Sequence, residues 1–157
     1  MAAMIAIERA GTTDLDELVG LFEKYRAFYR CEPSTDGAQR FLGARLEQGD
    51  SVVFLARDRS EPEASAVGRA VGFTQLYPLF SSTAMKRLWL LNDLYVEDSH
   101  RRKGVARQLI ASAAELCRST GARGFLLETE ATNARAQALY ESVGMKRVTS
   151  FFYALDV

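Results

Sequence analysis

The sequence predicts one α/β (α+β) domain, in which helices pack over a mixed β-sheet. Two kinds of pattern support this prediction: short runs rich in apolar and β-forming residues, such as 88–96, and longer segments with apolar residues three and four positions apart, such as 15–29. With 157 residues, the chain has the size of a single domain with a substantial core. We therefore expect residues 1–157 to form one domain.

The composition is that of a globular protein, because hydrophobic residues make up 48% of the chain and charged residues 25%. The 20 basic and 20 acidic side chains balance, so the net charge does not favour nucleic acid or an anionic membrane as a partner. The apolar runs are too short for a transmembrane helix, and the N-terminal run meets Glu8 too early for a signal peptide. We expect a cytoplasmic protein with no membrane or direct nucleic-acid partner.

The cysteines and the histidine offer little for metal or nucleophilic chemistry. Cys31 and Cys117 lie far apart without metal-ligand spacing, which indicates reduced thiols. His100 is the only histidine, so a zinc site of the His/Cys type would lack ligands and a Ser-His-Asp triad would depend on this residue. Its charged neighbours favour an exposed loop position. We expect no metal.

In the first half of the chain, the patterns predict two helices between strands. Thr12, Thr13 and Asp14 offer N-cap oxygens to the first helix, Gly49 is a natural stop for the second, and Pro78 ends the hydrogen-bonding capacity of a strand. The predicted elements are a strand at 4–9, a helix from 12–14 to about 31, a helix at 36–49, a strand at 51–56, a polar hairpin connection at 57–65 and a strand at 66–77.

The second half begins with a nearly continuous apolar run that predicts a central strand, interrupted by Asn92 and Asp93. The predicted elements are this strand at 88–96, a charged loop at 97–103, a helix at 104–121, a strand at 124–130, a helix at 133–143 and a terminal strand at 151–155. The complete order is β-α-α-β-β-β-α-β-α-β, which is typical of a mixed sheet covered by helices.

A basic turn leads from the charged loop directly into the following helix. It consists of Arg101, Arg102, Lys103, Gly104, Val105 and Ala106. The first backbone N–H groups of a helix carry a partial positive charge that suits a pyrophosphate, and a glycine lets the backbone approach it closely. The P-loop and dinucleotide fingerprints are absent. The turn therefore predicts a phosphate-binding site, with a solvated charge cluster as the alternative.

These residues resemble the acetyl-CoA signature Q/R-x-x-G-x-G/A of the GNAT superfamily of N-acetyltransferases. Residues 91–96 resemble its central strand, and residues 133–145 resemble its helix N-x-x-A-x-x-x-Y-x-x-x-G. The strand and the first helices look most like the Hpa-type branch, named for histone and other small basic acceptors, and more distantly like the diamine acetyltransferases. The resemblance implies a mostly antiparallel sheet of six to seven strands flanked by about four helices, acetyl-CoA as cosubstrate, and an amine acceptor.

The resemblance also implies roles for individual residues in binding the coenzyme. The backbone of Leu94 and Val96 would hold the pantetheine arm, and Asn133 would hydrogen-bond the coenzyme. The turn would hold the pyrophosphate through Arg101, Arg102, Lys103, Gly104, Val105, Ala106 and Arg107. Tyr140 would stand near the sulfur as the general acid for the departing thiolate. The alternatives are an N-cap role for Asn133 and core packing for Tyr140.

Many relatives place a glutamate on the central strand to take up a proton, whereas this chain has Asn92 and Asp93 there. Strand alternation turns only one of the two toward the site unless a bulge intervenes, and the family resemblance implies such a bulge. Asp93 is the candidate for binding the ammonium or relaying its proton, and capping of nearby backbone by a buried carboxylate is the alternative. Glu128 and Glu130 are weaker candidates.

The first helix and the loop after it are expected to form the acceptor surface. Tyr25, Phe28, Tyr29 and Glu32 could line an aromatic and acidic pocket for a cationic amine. His100 and Cys117 are poorly placed to form an acyl-enzyme, which favours direct attack by the amine on the thioester. A polyamine-like molecule, an amino acid and a protein lysine remain open as acceptors.

Two other functions compete with a free-standing amine acetyltransferase. The missing glutamate leaves room for a non-catalytic acetyl-CoA sensor, although Tyr140 argues against it. A protein acetyltransferase acting within a nucleic-acid-associated complex has little support from the neutral net charge.

The aromatic terminal strand at 151–153 and the dimers of Hpa-type relatives predict a homodimer, with a fully covered sheet edge as the alternative.

Overall fold

The computed structural model describes residues 4–60 and 67–157. Two short 3-10 turns, Thr12–Asp14 and Asp98–His100, precede the first α-helix and the basic turn respectively. The elements are β1 (Ile5–Arg9), α1 (Leu15–Phe28), α2 (Thr35–Gln48), β2 (Val52–Asp58), β3 (Arg69–Ser81), β4 (Lys86–Val96), α3 (Val105–Ser119), β5 (Phe125–Leu126) and α4 (Ala134–Ser142). The described chain divides into two compact units at the boundary between Leu127 and Glu128.

The first unit contains one mixed sheet in the strand order β1-β2-β3-β4-β5. Neighbouring strands are antiparallel except for β4 and β5, which are parallel. The predicted mixed, mostly antiparallel sheet and four α-helices are confirmed. The described residues form five strands, so the expectation of six to seven strands is wrong for this part of the chain.

Helices cover both faces of the sheet in the first unit. On one face, α1 and α2 bury Leu18 and Leu42 against Val53 and Phe73. On the other face, α3 packs Val105, Leu109 and Ala113 against apolar residues of β2, β3 and β4. The alternating faces of the strands thus supply both halves of the core, as expected for a sheet buried on both sides.

Pro78 does not end β3, contrary to the prediction, because the strand continues to Ser81. The pairing of β3 with β2 stops at Leu76, opposite Val52, whereas the pairing with β4 continues past Pro78, opposite Trp89. The Trp89 N–H donates to the Gly124 carbonyl on the β5 side, so this pair exchanges no hydrogen bonds. The ring nitrogen of Pro78 therefore faces the side that β2 has left.

Two predicted strands differ in the second half of the chain. The strand expected at 124–130 is reduced to Phe125–Leu126, which pair with Trp89 and Leu90 of β4. The strand expected at 151–155 is not formed, and Phe151, Phe152 and Tyr153 are exposed. A run of adjacent aromatic residues does not alternate between two faces, and a strand is stable only when its backbone groups find a partner strand.

The polar connection is predicted to begin at residue 57, which is two residues too early. Arg57 and Asp58 belong to β2 and are buried. Residues 61–66, which include the rest of that connection and the start of the next predicted strand, lie outside the described residues. Arg57 is buried because its guanidinium meets Asp14 at 2.7 Å, Glu17 at 2.8 Å and the Gly68 carbonyl at 3.0 Å. These contacts tie β2 to α1 and to the turn before it.

His100 is also buried, which corrects the expectation of an exposed loop residue. Its Nε2 lies 2.9 Å from Oδ2 of Asp58, and its Nδ1 lies 2.8 Å from the hydroxyl of Ser99. The other Asp58 oxygen accepts a hydrogen bond from the backbone N–H of Ser60. Because His100 immediately precedes the basic turn, this pair anchors the turn to the end of β2.

The contacts of Asp58 with Ser60 and His100 make the stability of the fold depend on pH in the acid range. Hydrogen bonds from Ser60, and then from His100, lower the pKa of Asp58 to about 2 from its usual 3.8. A depressed pKa stabilises the fold above the unfolded pKa, and the contribution is lost as the pH falls through the folded pKa. We expect urea unfolding to show about 2 kcal/mol lost between about pH 4 and about pH 2 in the wild type, beyond any loss in Asp58→Asn. Parallel pH profiles for the two proteins would contradict this.

Candidate active site

Strand β4 contains a bulge at Asn92. Gln75 of β3 pairs with Asp93, but the next β3 residue, Leu76, pairs with Leu91, so Asn92 has no partner in the ladder. The Asn92 side chain is exposed and the Asp93 side chain is only 4% exposed. The bulge implied by the family resemblance is therefore present, and it turns Asp93 into the interior under α1.

The edge of β4 beyond the bulge, residues 91–96, is not paired with β5. The parallel pairing covers only Trp89 and Leu90. The Glu97 N–H donates to the Val71 carbonyl at 2.9 Å, which makes the register pair of Val96 and Gly72 a non-hydrogen-bonded one. Leu94 and Val96 consequently direct their backbone N–H and C=O groups away from β3, toward what we call the open edge.

The basic turn lies next to the open edge and adopts two left-handed backbone conformations, at Arg102 (φ 61°) and Gly104 (φ 80°). The first hydrogen bond of α3 runs from the Gln108 N–H to the Gly104 carbonyl at 3.1 Å, so the N–H groups of Val105 and Ala106 precede the helical hydrogen bonds. The side chains of Arg102, Lys103 and Arg107 are exposed around them. The turn has the geometry of an anion site at a helix N-terminus.

Arg101 is partly buried and makes several contacts within the protein. Its Nε donates to the Val96 carbonyl at 3.0 Å, and its Nη1 lies 2.7 Å from Asp98. Its guanidinium also lies 5.8 Å from the ring centre of Tyr95 and 6.0 Å from that of Phe28. Arg101 therefore engages the carbonyl of Val96 and leaves its N–H as the outward-facing donor of that residue.

Glu97 holds the start of the loop in place. This buried carboxylate pairs with Lys24 of α1 and, at 2.8 Å, with Arg69 of β3. Burial raises the pKa of Glu97, but the hydrogen bonds from Lys24 and Arg69 outweigh it and leave the pKa below its usual range. Glu97 could not be selected from the sequence because it looks like one more charge in a polar loop.

Asp93 lies at the centre of a buried polar group that we call the Asp93 cluster, formed with Tyr25, Gln75, Asn92 and Tyr77. Oδ2 accepts a hydrogen bond from Nε2 of Gln75 at 2.8 Å, and Oδ1 accepts one from Nδ2 of Asn92 at 3.1 Å. The Tyr25 hydroxyl also hydrogen-bonds to the carboxylate. The structure thus brings together two predicted acceptor residues, Tyr25 and Asp93, from α1 and β4.

Asp93 acts electrostatically on both tyrosines of the cluster. Burial raises the pKa of Tyr25, and the charge and hydrogen bond of Asp93 raise it further. Burial, followed by the charge of Asp93, raises the pKa of Tyr77 to about 12. Both phenols therefore stay protonated at neutral pH, so Tyr25 is a hydrogen-bond donor to the carboxylate.

The other predicted acceptor residues lie at the surface end of α1. Tyr29 stacks edge-on with Tyr25 at 5.0 Å and with Phe28 at 5.2 Å, which gives an aromatic row that starts at the Asp93 cluster and reaches solvent. Glu32 is exposed beyond this row, and its backbone carbonyl accepts a hydrogen bond from Arg26. The row connects the buried carboxylate with the protein surface.

Asn133 and Tyr140 belong to α4 in the second unit. Asn133 is the N-cap of α4, since its Oδ1 accepts the Ala136 N–H at 3.1 Å. The capping role weighed for Asn133 is therefore confirmed, and its amide nitrogen is the group that a coenzyme contact would use. Tyr140 is half-buried near the end of the helix.

Gln75 and Tyr77 are site residues that the sequence analysis did not select. Both lie on the same face of β3, and Gln75 is fully buried. The available signal was the pair Thr74-Gln75, which interrupts an otherwise apolar strand. Buried polar residues in a central strand need a partner, and here that partner is Asp93.

The described parts of the chain, 4–60 and 67–157, contain no group of three or more His, Cys, Asp or Glu side chains able to hold a metal ion. None of their helices is long and apolar enough to cross a membrane. Cys31 is exposed, Cys117 is buried, and both are free thiols.

A sheet with an open edge beside an anion-binding helix N-terminus defines a candidate acyltransferase. The chain belongs to the Acetyltransferase (GNAT) family, whose model matches residues 18–145. It is similar to the N-acetyltransferase YhfO of Bacillus subtilis (strain 168), with 41% identity over 96% of this chain and 97% of that protein. Its fold matches the crystal structure of a probable acetyltransferase with a TM-score of 0.88 and 38% identity, over 97% of both chains.

A more distant relative is the D-amino-acid N-acetyltransferase HPA3 of Saccharomyces cerevisiae, with 27% identity over 80% of this chain and 75% of that protein. The match to the family model and the 41% identity with YhfO make this chain a GNAT-type N-acetyltransferase. The predicted enzyme class is thereby confirmed.

Proposed function

We propose that this enzyme transfers the acetyl group of acetyl-CoA to a primary amine. The observation that carries the proposal is the arrangement around the bulge of β4: outward-facing backbone groups of Leu94 and Val96 on the open edge, and the Asp93 carboxylate under α1. The first suits a pantetheine arm bound like an added strand. The second suits the ammonium form of an amine.

The coenzyme's pyrophosphate would bind at the N-terminus of α3. The backbone N–H groups of Val105 and Ala106 are the donors there, and the exposed side chains of Arg102, Lys103 and Arg107 supply positive charge. Arg101 would act through its hold on the Val96 carbonyl. Asn133 would contribute its amide N–H. We propose acetyl-CoA as the cosubstrate, without a metal.

The chemical step would be direct attack of the neutral amine nitrogen on the thioester carbonyl. The bound ammonium would first lose one proton to Asp93 or to solvent. As the neutral nitrogen attacks, the C–N bond forms and the C–S bond breaks; the nitrogen then loses a second proton to solvent, and the departing thiolate gains one from Tyr140. Cys117 does not favour an acyl-enzyme, because burial raises the pKa of its thiol. Solvent would return the proton to Tyr140.

The acceptor would be a cationic primary amine that passes along the aromatic row of Tyr25, Phe28 and Tyr29, with Glu32 at its outer end. The similarity to HPA3, whose name gives D-amino acids as acceptors, supports an amine and a place in the Hpa-type branch. Small polyamine-like molecules, amino acids and protein lysine all carry the ammonium group that the Asp93 charge would attract.

The two units would form a single domain, which the match of the family model across 18–145 supports. The two free thiols support a cytoplasmic location, where cysteines stay reduced.

The most direct test of the function is release of coenzyme-A thiol from acetyl-CoA in the presence of an amine panel. We expect turnover with polyamines, amino acids or lysine-like amines, and little with hydroxyl acceptors of the same size. Binding of acetyl-CoA without turnover on any amine would favour a sensor. Equal reaction with alcohols would refute a cationic acceptor site.

The phosphate site is tested by replacing Gly104 with valine. Gly104 and Gly121 flank α3, both have positive φ (80° and 63°), and a Cβ at either meets no atom within 4 Å. Gly121→Val therefore matches the backbone strain of Gly104→Val without touching the turn. We expect calorimetry to show at least about tenfold weaker acetyl-CoA binding for Gly104→Val only, the loss of roughly one charge-assisted hydrogen bond. Equal acetyl-CoA affinities of the two variants would rule out the turn as the pyrophosphate site.

The proton donor is tested by Tyr140→Phe, which keeps the ring and removes the hydroxyl. We expect turnover to fall by roughly 10²–10⁴-fold, with little change in acetyl-CoA affinity. Tyr153→Phe, at an exposed position in the same unit, is the matched control and should retain full activity. Near-normal turnover of Tyr140→Phe, with chemistry limiting the rate, would leave solvent as the donor.

We also propose a homodimer, because Phe151, Phe152 and Tyr153 are exposed in succession. Light scattering at micromolar concentration should give twice the chain mass of 17.4 kDa, with or without acetyl-CoA. A mass of one chain under both conditions would exclude the dimer.

A further inference from the structure

Gln75 carries a buried oxygen with no protein partner. Its side chain is 0% exposed, and its Nε2 donates to Asp93 at 2.8 Å. Because a carboxylate only accepts hydrogen bonds, this contact fixes which end of the amide faces Asp93 and leaves Oε1 as the other end. Oε1 is buried without a hydrogen-bond partner. A buried acceptor in this state is unfavourable unless a donor reaches it.

The surroundings of Oε1 favour a cationic donor. The Asp93 carboxylate, on the same amide's other side, is the negative charge of the cluster, and Tyr25 and Asn92 engage it as neutral donors. Arg45 is the cation that acts on Tyr77, and it is ion-paired with Asp50 at 2.7 Å. The Asp93 cluster therefore has a carboxylate and an unpaired carbonyl oxygen. None of the contacts named above brings a cation to either of them.

The Asp93 cluster meets solvent at the bulge. Asn92, whose amide holds the other Asp93 oxygen, is exposed, and the half-buried rings of Tyr25 and Tyr77 flank the cluster. A primary ammonium group has three N–H donors. One can reach the carboxylate and a second can reach a neighbouring carbonyl oxygen, whereas an alcohol offers a single donor and no charge.

We propose that Gln75 is the specificity-determining residue for the acceptor, and that its Oε1 and the Asp93 carboxylate together bind the ammonium group of a primary amine. This inference rests on the proposed function and adds to it the residue that distinguishes amines from alcohols. The Gln75 carbonyl oxygen favours a group with more than one N–H donor, and the Asp93 carboxylate favours a group with positive charge.

The test is a titration of the CoA complex with 1,4-diaminobutane, followed by NMR of the Gln75 side-chain amide in ¹⁵N-labelled protein. The amide resonance should shift with 1,4-diaminobutane and stay in place with 1,4-butanediol. This measurement on the wild type needs no substitution in the core. An unshifted resonance, with diaminobutane, butylamine and lysine amide alike, would overturn the proposal.

Substitutions at Gln75 then test the contribution of its Oε1 to amine binding. Gln75→Met removes both amide atoms, and should weaken diaminobutane binding by about 10-fold to 100-fold, the effect of one hydrogen bond to a charged group. Gln75→Glu keeps an oxygen at the end of the side chain and should recover most of that loss. Thr74→Val is the matched control, since it removes a buried hydrogen bond to the Asp93 carbonyl from the neighbouring β3 position. It should bind diaminobutane normally.

The outcomes separate this proposal from the wider function. Wild-type affinity in Gln75→Met, or an equal loss in Thr74→Val, would refute the role of Gln75 even if the enzyme acetylates amines. Failure of the wild type to bind acetyl-CoA or to acetylate any amine would instead refute the proposed function. Acetyl-CoA affinity should be the same in all four proteins, because the open edge and the basic turn are unchanged.

Discussion

The bulge at Asn92 sets the orientation of the Asp93 side chain and of the backbone groups of Leu94 and Val96. Before it, Trp89 and Leu91 pack on the α3 face of the sheet. Continued alternation would place Asp93 on that same apolar face, but the extra residue turns Asp93 to the α1 face. The same shift makes the backbone of Leu94 and Val96 point to the open edge. One inserted residue thus sets both the face of the sheet on which Asp93 lies and the direction of the backbone groups of Leu94 and Val96.

Contacts of two buried carboxylates, Glu97 and Asp58, hold the elements around this strand in register. Glu97 links the end of β4 to α1 and β3 through Lys24 and Arg69, and the pair of Asp58 and His100 fixes the start of the basic turn. Each pair joins segments that are far apart in sequence. The open edge can therefore lack a β5 partner without loss of the β3 pairing that positions it.

Local patterns predicted much of this structure from the sequence. The helical stripes and the terminal glycines gave α1, α2, α3 and α4 to within a few residues, because hydrophobic periodicity and helix stops are local properties. The basic turn was recognisable for the same reason: Gly104 and the residues around it act through backbone conformation. Asp93 could be selected as a candidate because it interrupts an apolar strand.

Partners distant in sequence account for most of what the sequence did not reveal. Arg57, Asp58 and His100 looked like exposed charges. Nothing in a linear pattern shows that Asp58 meets His100, or that Arg57 meets three carboxylates from other elements. Pro78 is tolerated in β3 only because β2 stops two residues earlier. Gln75 becomes a candidate site residue only because the register of β3 and β4 places it opposite Asp93.

The central claim is that the open edge of β4 binds the coenzyme through backbone groups of Leu94 and Val96. Hydrogen exchange of the individual backbone amides, with and without saturating acetyl-CoA, measures this directly. We predict that acetyl-CoA slows exchange at Leu94 or Val96, while Tyr95, which faces β3 in the ladder, changes little. Saturation with acetyl-CoA that leaves exchange at both Leu94 and Val96 unchanged would contradict the account.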